Sequence, residues 1–376
     1  MDRSGAHRIS LTDRQLLALH AAGIWNQVPA AVLFAGGAAW ADIYQLAYEQ
    51  TIVGHVTDGI NLLPEALMPS VEELDPFLGD LMGTEQRNRQ LDSFLPFLFK
   101  ALSPLPVVLI KGQSLSQDYP DPLRRQPGDI DLLLPPSCYE KAKAILLPKA
   151  SRVQPEEKEI YHQGFFYRSI EVEIHGSIQT LMSPRLDRKL ARLQAEMFDK
   201  RETCIQIIDG HEIPVPNPGF NAIYILVHFL HHFWAGGVGL RQLTDWMVFV
   251  SVHKREIDPI LLEERLADLG LKAIWQTFAG FAVDYLGCPS EKMPLYTDRY
   301  ARRYPRIWGW LKRSGNFGKK TEKARVKEPY LIRKLHSFYS LVLVNRLRHL
   351  GTFPLESLRY FAGAFAYGLG RLSRGE

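Results

Sequence analysis

Two aspartates one residue apart, Asp129 and Asp131, open the run Asp-Ile-Asp-Leu-Leu-Leu at positions 129–134. Side chains of a strand alternate between its faces, so Asp129 and Asp131 share one face with Leu133, and Ile130, Leu132 and Leu134 share the other. Two adjacent carboxylates repel each other and lose hydration on burial. A divalent cation removes that penalty, and magnesium favours carboxylate and phosphate oxygens. The competing reading is an acidic strand edge facing water, because an isolated Asp-x-Asp is common. A second segment, Ile-Glu-Val-Glu-Ile-His at 170–175, repeats the pattern, with Ile170, Val172 and Ile174 on one face and Glu171, Glu173 and His175 on the other. If the two strands adjoin in one sheet, Glu173 completes a three-carboxylate cluster. Such clusters hold two metal ions about 3.5–4 Å apart for phosphoryl chemistry.

Further candidates flank these acids. Lys111-Gly112-Gln113-Ser114 follows a short apolar run. Gly112 permits close backbone approach, Ser114 offers a hydroxyl, and free N–H groups at a helix start bind phosphate. An ordinary turn is the plainer reading of that glycine. His228 and His232 stand four apart on one helix face, with His231 beside them. That spacing suits a metal, but no Glu follows the first histidine, so the zinc-protease pattern is absent. The plainer alternative is a polar patch lining a cleft or hydrogen-bonded in the core. Arg241 and Asp245, also four apart, suit either a local ion pair or a hold on nucleotide or acceptor.

The elements that must position these residues change character along the chain. Residues 10–103 read as helical: Thr12 and Gln15 have capping-box spacing, 38–56 is apolar at helix spacing, and a polar opening at 85–89 leads into a helix that Pro96 should kink or split. From Pro104 the pattern is that of short strands: 107–110, 129–134, 161–167 and 170–175, with a helix at 139–147. Asp209-Gly210 marks a hairpin between 204–208 and 212–215. Helices resume after Pro216-Asn217-Pro218-Gly219, at 222–233, 240–250 and 261–286. The expected organisation is an N-terminal helical region (1–103), an α/β core (104–216), a C-terminal helical domain (217–298) and a basic helical tail (299–376).

A composition of 46% hydrophobic and 23% charged residues excludes wholesale disorder. Cys138, Cys204 and Cys288 are widely spaced, which argues against a zinc motif or disulfide framework and for the cytoplasm. Neither a signal-peptide pattern nor an apolar run of transmembrane length is expected. The net charge of +4 is uneven. Residues 299–376 hold 18 Lys and Arg against four Glu and no Asp, a charge of +14, which leaves −10 on the remainder. That segregation suits either a solvated helical surface docked on the acidic remainder, or an acidic partner or membrane surface at which the protein is peripheral. Segments 338–344 and 358–369, which mix apolar and aromatic residues near arginines, have the composition of interfacial helices.

The order of these motifs adds information. A strand leads to Lys111-Gly112-x-Ser114, then Tyr119-Pro120, then Arg125-x-x-Gly128-Asp129-x-Asp131, then Glu173-x-His175. In this order the sequence resembles nucleotidyltransferases of the DNA polymerase β-like superfamily, and more closely a poorly characterised bacterial nucleotidyltransferase family. The resemblance extends through His228, His232, Arg241 and Asp245 and covers roughly residues 10–285. One departure is Gln113, which separates Gly112 from the serine that the superfamily's phosphate loop places next to its glycine. The resemblance implies an α+β fold, a small mixed sheet flanked by N-terminal and C-terminal helical regions. It implies an enzyme that moves a nucleoside monophosphate from an NTP to a hydroxyl-bearing acceptor and releases pyrophosphate. Asp129, Asp131 and Glu173 would hold Mg2+ or Mn2+, with Glu173 helping to deprotonate the acceptor. Lys111, Gly112, Ser114 and Arg125 would hold the nucleotide, while His175, His228, His232, Arg241 and Asp245 would line the cleft. The rivals are a non-catalytic nucleotide- or partner-binding relative and a module that binds polyanions or membranes through the basic tail.

Overall fold

The computed structural model describes residues 9–180, 182–315 and 347–374. The expected stretch 338–344 lies outside them, as does residue 181.

The chain opens with three helices, α1 (Leu11–Trp25), α2 (Trp40–Glu49) and α3 (Val53–Ile60). The capping box of α1 is Ser10 with Asp13, two residues earlier than expected. Gln15 instead crosses to the loop before α2, donating to Leu33 O (2.8 Å) and Gly37 O (3.0 Å). The single helix expected over 38–56 is broken at 50–52, where Thr51 has φ 55°. Gln50 fixes the break. Its buried amide donates to Leu311 O (3.0 Å) and accepts from the Leu240 N–H (2.9 Å), contacts that a residue inside a straight helix could not make together. Where α1 crosses α3, a Cβ on Gly59 would lie 2.0 Å from Leu19 O, so only glycine permits this backbone approach.

Helix α4 (Val71–Leu102) starts well before the polar opening at 85–89, on a Ser70–Glu73 capping box, and runs unsplit through Pro76 and Pro96. Leu91, Leu95 and Leu98 pack it against the sheet, which compensates for the amide hydrogen bond that each proline removes.

The sheet contains β1 (Val108–Leu109), β2 (Ile130–Leu133), β3 (Arg152–Val153), β4 (His162–Tyr167) and β5 (Ile170–His175), in the order β1-β2-β5-β4-β3. The short helix α5 (Gln113–Ser116) follows β1, and α6 (Tyr139–Leu146) follows β2. Strands β2 and β5 are parallel; every other neighbouring pair in this sheet is antiparallel. One face buries Ile130, Leu132, Phe165, Val172 and Ile174 against α4 and α6. The opposite face carries the acids.

Helix α7 (Pro184–Asp199) was not anticipated, although Leu186, Leu190, Leu193 and Met197 form its buried stripe. The separate hairpin β6 (Thr203–Ile208) and β7 (His211–Pro216) turns at Asp209-Gly210, with φ 49° and 77°, as expected of that dipeptide. Helices α8 (Pro218–Ala235) and α9 (Leu240–Val252) follow. The region expected as one helix over 261–286 is two, α10 (Pro259–Leu269) and α11 (Lys272–Leu286), because Gly270 adopts a left-handed conformation that ends the first. Helices α12 (Tyr304–Ser314) and α13 (Pro354–Arg374) complete the described chain. One hydrophobic core joins α1–α3 to α8–α12, so both helical flanks meet on the acidic side of the sheet. No described helix is long and apolar enough to cross a membrane.

Candidate functional site

The parallel pairing of β2 with β5 sets the site. Asp131 lies directly opposite Glu173, and Leu133 opposite His175. Asp129 immediately precedes β2, and one carboxylate oxygen from each of Asp129, Asp131 and Glu173 lies within 4.8 Å of the others. On the other side of β5, the antiparallel register places His162 of β4 beside His175. The two imidazoles stack with centroids 4.7 Å apart.

The acids differ in what balances their charge. Burial pushes the Asp131 carboxyl up, but the Lys111 ammonium at 2.7 Å and a hydrogen bond from His175 Nε2 at 3.0 Å outweigh it and hold Asp131 below its ordinary value. Burial likewise opposes ionisation of Glu173, but hydrogen bonds from His162 Nε2 (3.1 Å) and His175 keep it well below the carboxylate range. Asp129 has no ion pair with any described cationic side chain. Burial, then the charges of Asp131 and Glu173, push it up to about 6. The cluster is therefore short of positive charge at Asp129. Burial opposes protonation of His162, but its bonds to Glu157 and Glu173 win and raise it to about 10. The raised Asp129 and the convergence of three carboxylates fit a divalent cation held by Asp129, Asp131 and Glu173.

A cavity of about 370 Å³ opens over the acids. Helix α8 contributes Tyr224, His228 and His232 to its wall, and α9 contributes Arg241 and Asp245. Of the residues singled out from sequence, Lys111, Gly112, Arg125, Asp129, Asp131, Glu173, His175, His228, His232, Arg241 and Asp245 all line it.

Ser114 does not. It is buried, and its hydroxyl donates to Lys111 O (3.2 Å). Arg125 reaches the cavity wall, but its Nε and Nη2 donate to Asp245 (2.7 and 2.8 Å). The Tyr119 hydroxyl donates to the same carboxylate at 2.7 Å. Asp245 thus pairs with Arg125 across the fold, in place of the local pair with Arg241, which donates to Gln126 O (2.6 Å). The His228–His232 pair sits beside Lys111: His228 Nε2 lies 3.2 Å from its ammonium and 3.1 Å from His232 Nε2. Gly112 has φ 59°, and a Cβ there would stand 3.0 Å from Asp129 O, so glycine lets the loop close on the first acid.

Sequence reasoning missed His162, Glu157 and Tyr224. His162 was recoverable. Once the 161–167 and 170–175 strands are paired about a turn at 168–169, position 162 falls opposite 175.

Residues 36–287 match the family described as uncharacterised nucleotidyltransferase. The chain belongs to this nucleotidyltransferase family. The matched span includes every residue of the site, from Lys111 to Asp245, and excludes α1 and the basic tail. No curated protein and no solved structure matches the chain. Membership makes the protein an enzyme of nucleotidyl transfer and implies an NTP as its substrate.

Proposed function

We propose that the enzyme transfers a nucleoside monophosphate from an NTP to a hydroxyl of an acceptor, with Mg2+ or Mn2+ held by Asp129, Asp131 and Glu173. The observation that carries this reading is the convergence of those three carboxylates at the cavity wall. A divalent ion bound there supplies charge neutralisation for the triphosphate and for the in-line displacement. The chain's own residues prepare the site for it. Lys111 pairs with Asp131 at 2.7 Å and offsets part of the charge of the acids. His162 and His175 position the Glu173 carboxylate and keep it ionised, so that it can take the proton of the acceptor hydroxyl as the new bond forms. Arg125 and Arg241, against the single carboxylate of Asp245, leave a net positive wall beside Asp129 that suits the phosphates.

The test is a screen of the four NTPs with magnesium or manganese, reading labelled transfer to cell extract. It is paired with calorimetry on an Asp129→Asn, Asp131→Asn double variant. Wild type should bind magnesium and the double variant should not. Equal binding by both would refute the assignment of the metal to these residues.

A further inference from the structure

His162, Glu173 and His175 form a second convergent set beside the three acids. The two imidazoles and the carboxylate each offer one ligand atom, all within 4.8 Å of one another. Both imidazoles present Nε2 to the same oxygen, Glu173 Oε2, at 3.1 and 3.6 Å. Ligand bonds of about 2.1 Å in tetrahedral or octahedral geometry separate neighbouring ligand atoms by about 3.0–3.4 Å. The 3.1 Å separation falls in that range and the 3.6 Å separation just outside it, so a small shift brings the three atoms around one ion. His175 Nε2 also lies 3.0 Å from Asp131 Oδ1, so this set adjoins the three acids through both Glu173 and His175.

Around this set the support is also that of a metal site. His162 Nδ1 lies 3.5 Å from Glu157 Oε1, so a carboxylate backs the ring on the side away from Glu173. Such an outer carboxylate fixes the orientation and tautomer of a ligating imidazole. All four side chains line the same cavity, so an ion can enter and keep open positions for water or substrate.

We infer a second cation site, formed by His162, Glu173 and His175, that takes a first-row transition dication in preference to magnesium. Two nitrogens and one carboxylate suit zinc, cobalt or manganese, whereas magnesium favours the all-oxygen set beside it. Glu173 belongs to both sets and would bridge them. The inference shares that residue with the nucleotidyl-transfer reading but does not need turnover to be tested.

The experiment uses the full chain, stripped of metal, saturated with magnesium, and titrated with cobalt(II) while visible absorption is followed. One equivalent of cobalt should develop d–d absorption more intense than that of the aquated ion, and excess magnesium should not remove it. His162→Asn should abolish the signal. Glu157→Gln changes a side chain 62% exposed, so folding is not at risk, and it should weaken cobalt binding by about 10- to 100-fold. Asp129→Asn should keep the cobalt spectrum. An unchanged spectrum in both His162→Asn and Glu157→Gln, or full displacement by magnesium, would overturn the inference. Pyrophosphate release by wild type, measured separately, shows whether the nucleotidyl-transfer reading stands or falls independently.

Discussion

Glu171 and Glu173 share a strand face, yet the sheet gives them different work. Glu173 lies opposite Asp131, accepts a hydrogen bond from His162 and lies 3.6 Å from His175 Nε2, whereas Glu171 is held by Gln154. Glu173→Gln keeps the shape and removes the charge, so turnover should fall by a factor on the order of 10²–10⁴ with the fold intact. Glu171→Gln should cost far less. Pyrophosphate release by the two variants checks this, and a dead Glu171→Gln would mean that the active carboxylate has been misplaced. Behind the cavity, Arg125 and Asp245 are an almost fully buried pair. Asp245→Asn leaves Arg125 without its counter-charge and should destabilise the protein by about 3–5 kcal/mol, measurable by urea denaturation. His20 lies deeper still, bonded to Thr244 (2.9 Å), and burial lowers it to about 3 from the ordinary 6.5. The unfolded chain therefore takes up this proton first. Its contribution is complete above pH 6.5 and is lost as pH falls toward 3, by up to about 1.4 kcal/mol per pH unit. The stability advantage of wild type over His20→Gln should shrink between about pH 7 and pH 5 in thermal melts; an advantage that grew would contradict a buried neutral imidazole. Strand alternation puts Asp129, Asp131 and Glu173 on predictable faces, and the order of the motifs with the family resemblance is what made them legible as one set. The partners of Arg125, Ser114 and Asp245 were not legible, because they depend on which distant elements meet.

At the scale of elements, the loop from β1 to α5 depends on Gly112. Its φ of 59° with ψ of −113° is a conformation that L residues rarely adopt, and an added methyl group would press on Asp129 O. Gly112→Ala should cost on the order of 1–3 kcal/mol of stability and also weaken metal binding, since the strain acts on the backbone of a ligand residue. Urea denaturation and metal calorimetry on the same variant would test both effects. Unchanged metal affinity would show that the loop and the acids are uncoupled. Elements whose own residues specify them were legible: the Asp209-Gly210 hairpin, both strands of the acidic face, and α8 behind its Asn217 cap. Helix boundaries set by tertiary contacts were not. The break after Glu49 exists because Gln50 serves α9 and α12, which no local pattern records. Pro96 is expected to kink or split its helix; no split occurs, because α4 has enough apolar contact with the sheet to continue through it.

For the molecule as a whole, charge is divided between an acidic body and a basic C-terminal segment of +14. In the described part of that segment, α12 buries Tyr304, Ile307, Trp308 and Leu311, while α13 exposes Leu355, Leu358 and Phe365. An exposed apolar stripe among arginines favours an anionic membrane surface over a nucleic acid as the acidic partner. Binding to anionic liposomes should then weaken steeply as salt rises above physiological strength, where the Debye length is about 8 Å, and should be lost in a Leu355→Ser, Leu358→Ser, Phe365→Ser variant. Absence of binding at low salt would leave the segment a purely structural one. The parallel pairing of β2 with β5 has a consequence in time as well as in space. Parallel neighbours require a long crossover, here carrying α6, β3 and β4. During synthesis Asp129 and Asp131 therefore leave the ribosome well before Glu173, and the wall supplied by α8 and α9 emerges later still. A chain interrupted within the crossover would carry two of the three acids but neither the third nor a cavity to hold a triphosphate. Premature products of translation should for that reason be inert, and capture of NTP should begin only when the second helical flank closes over the sheet.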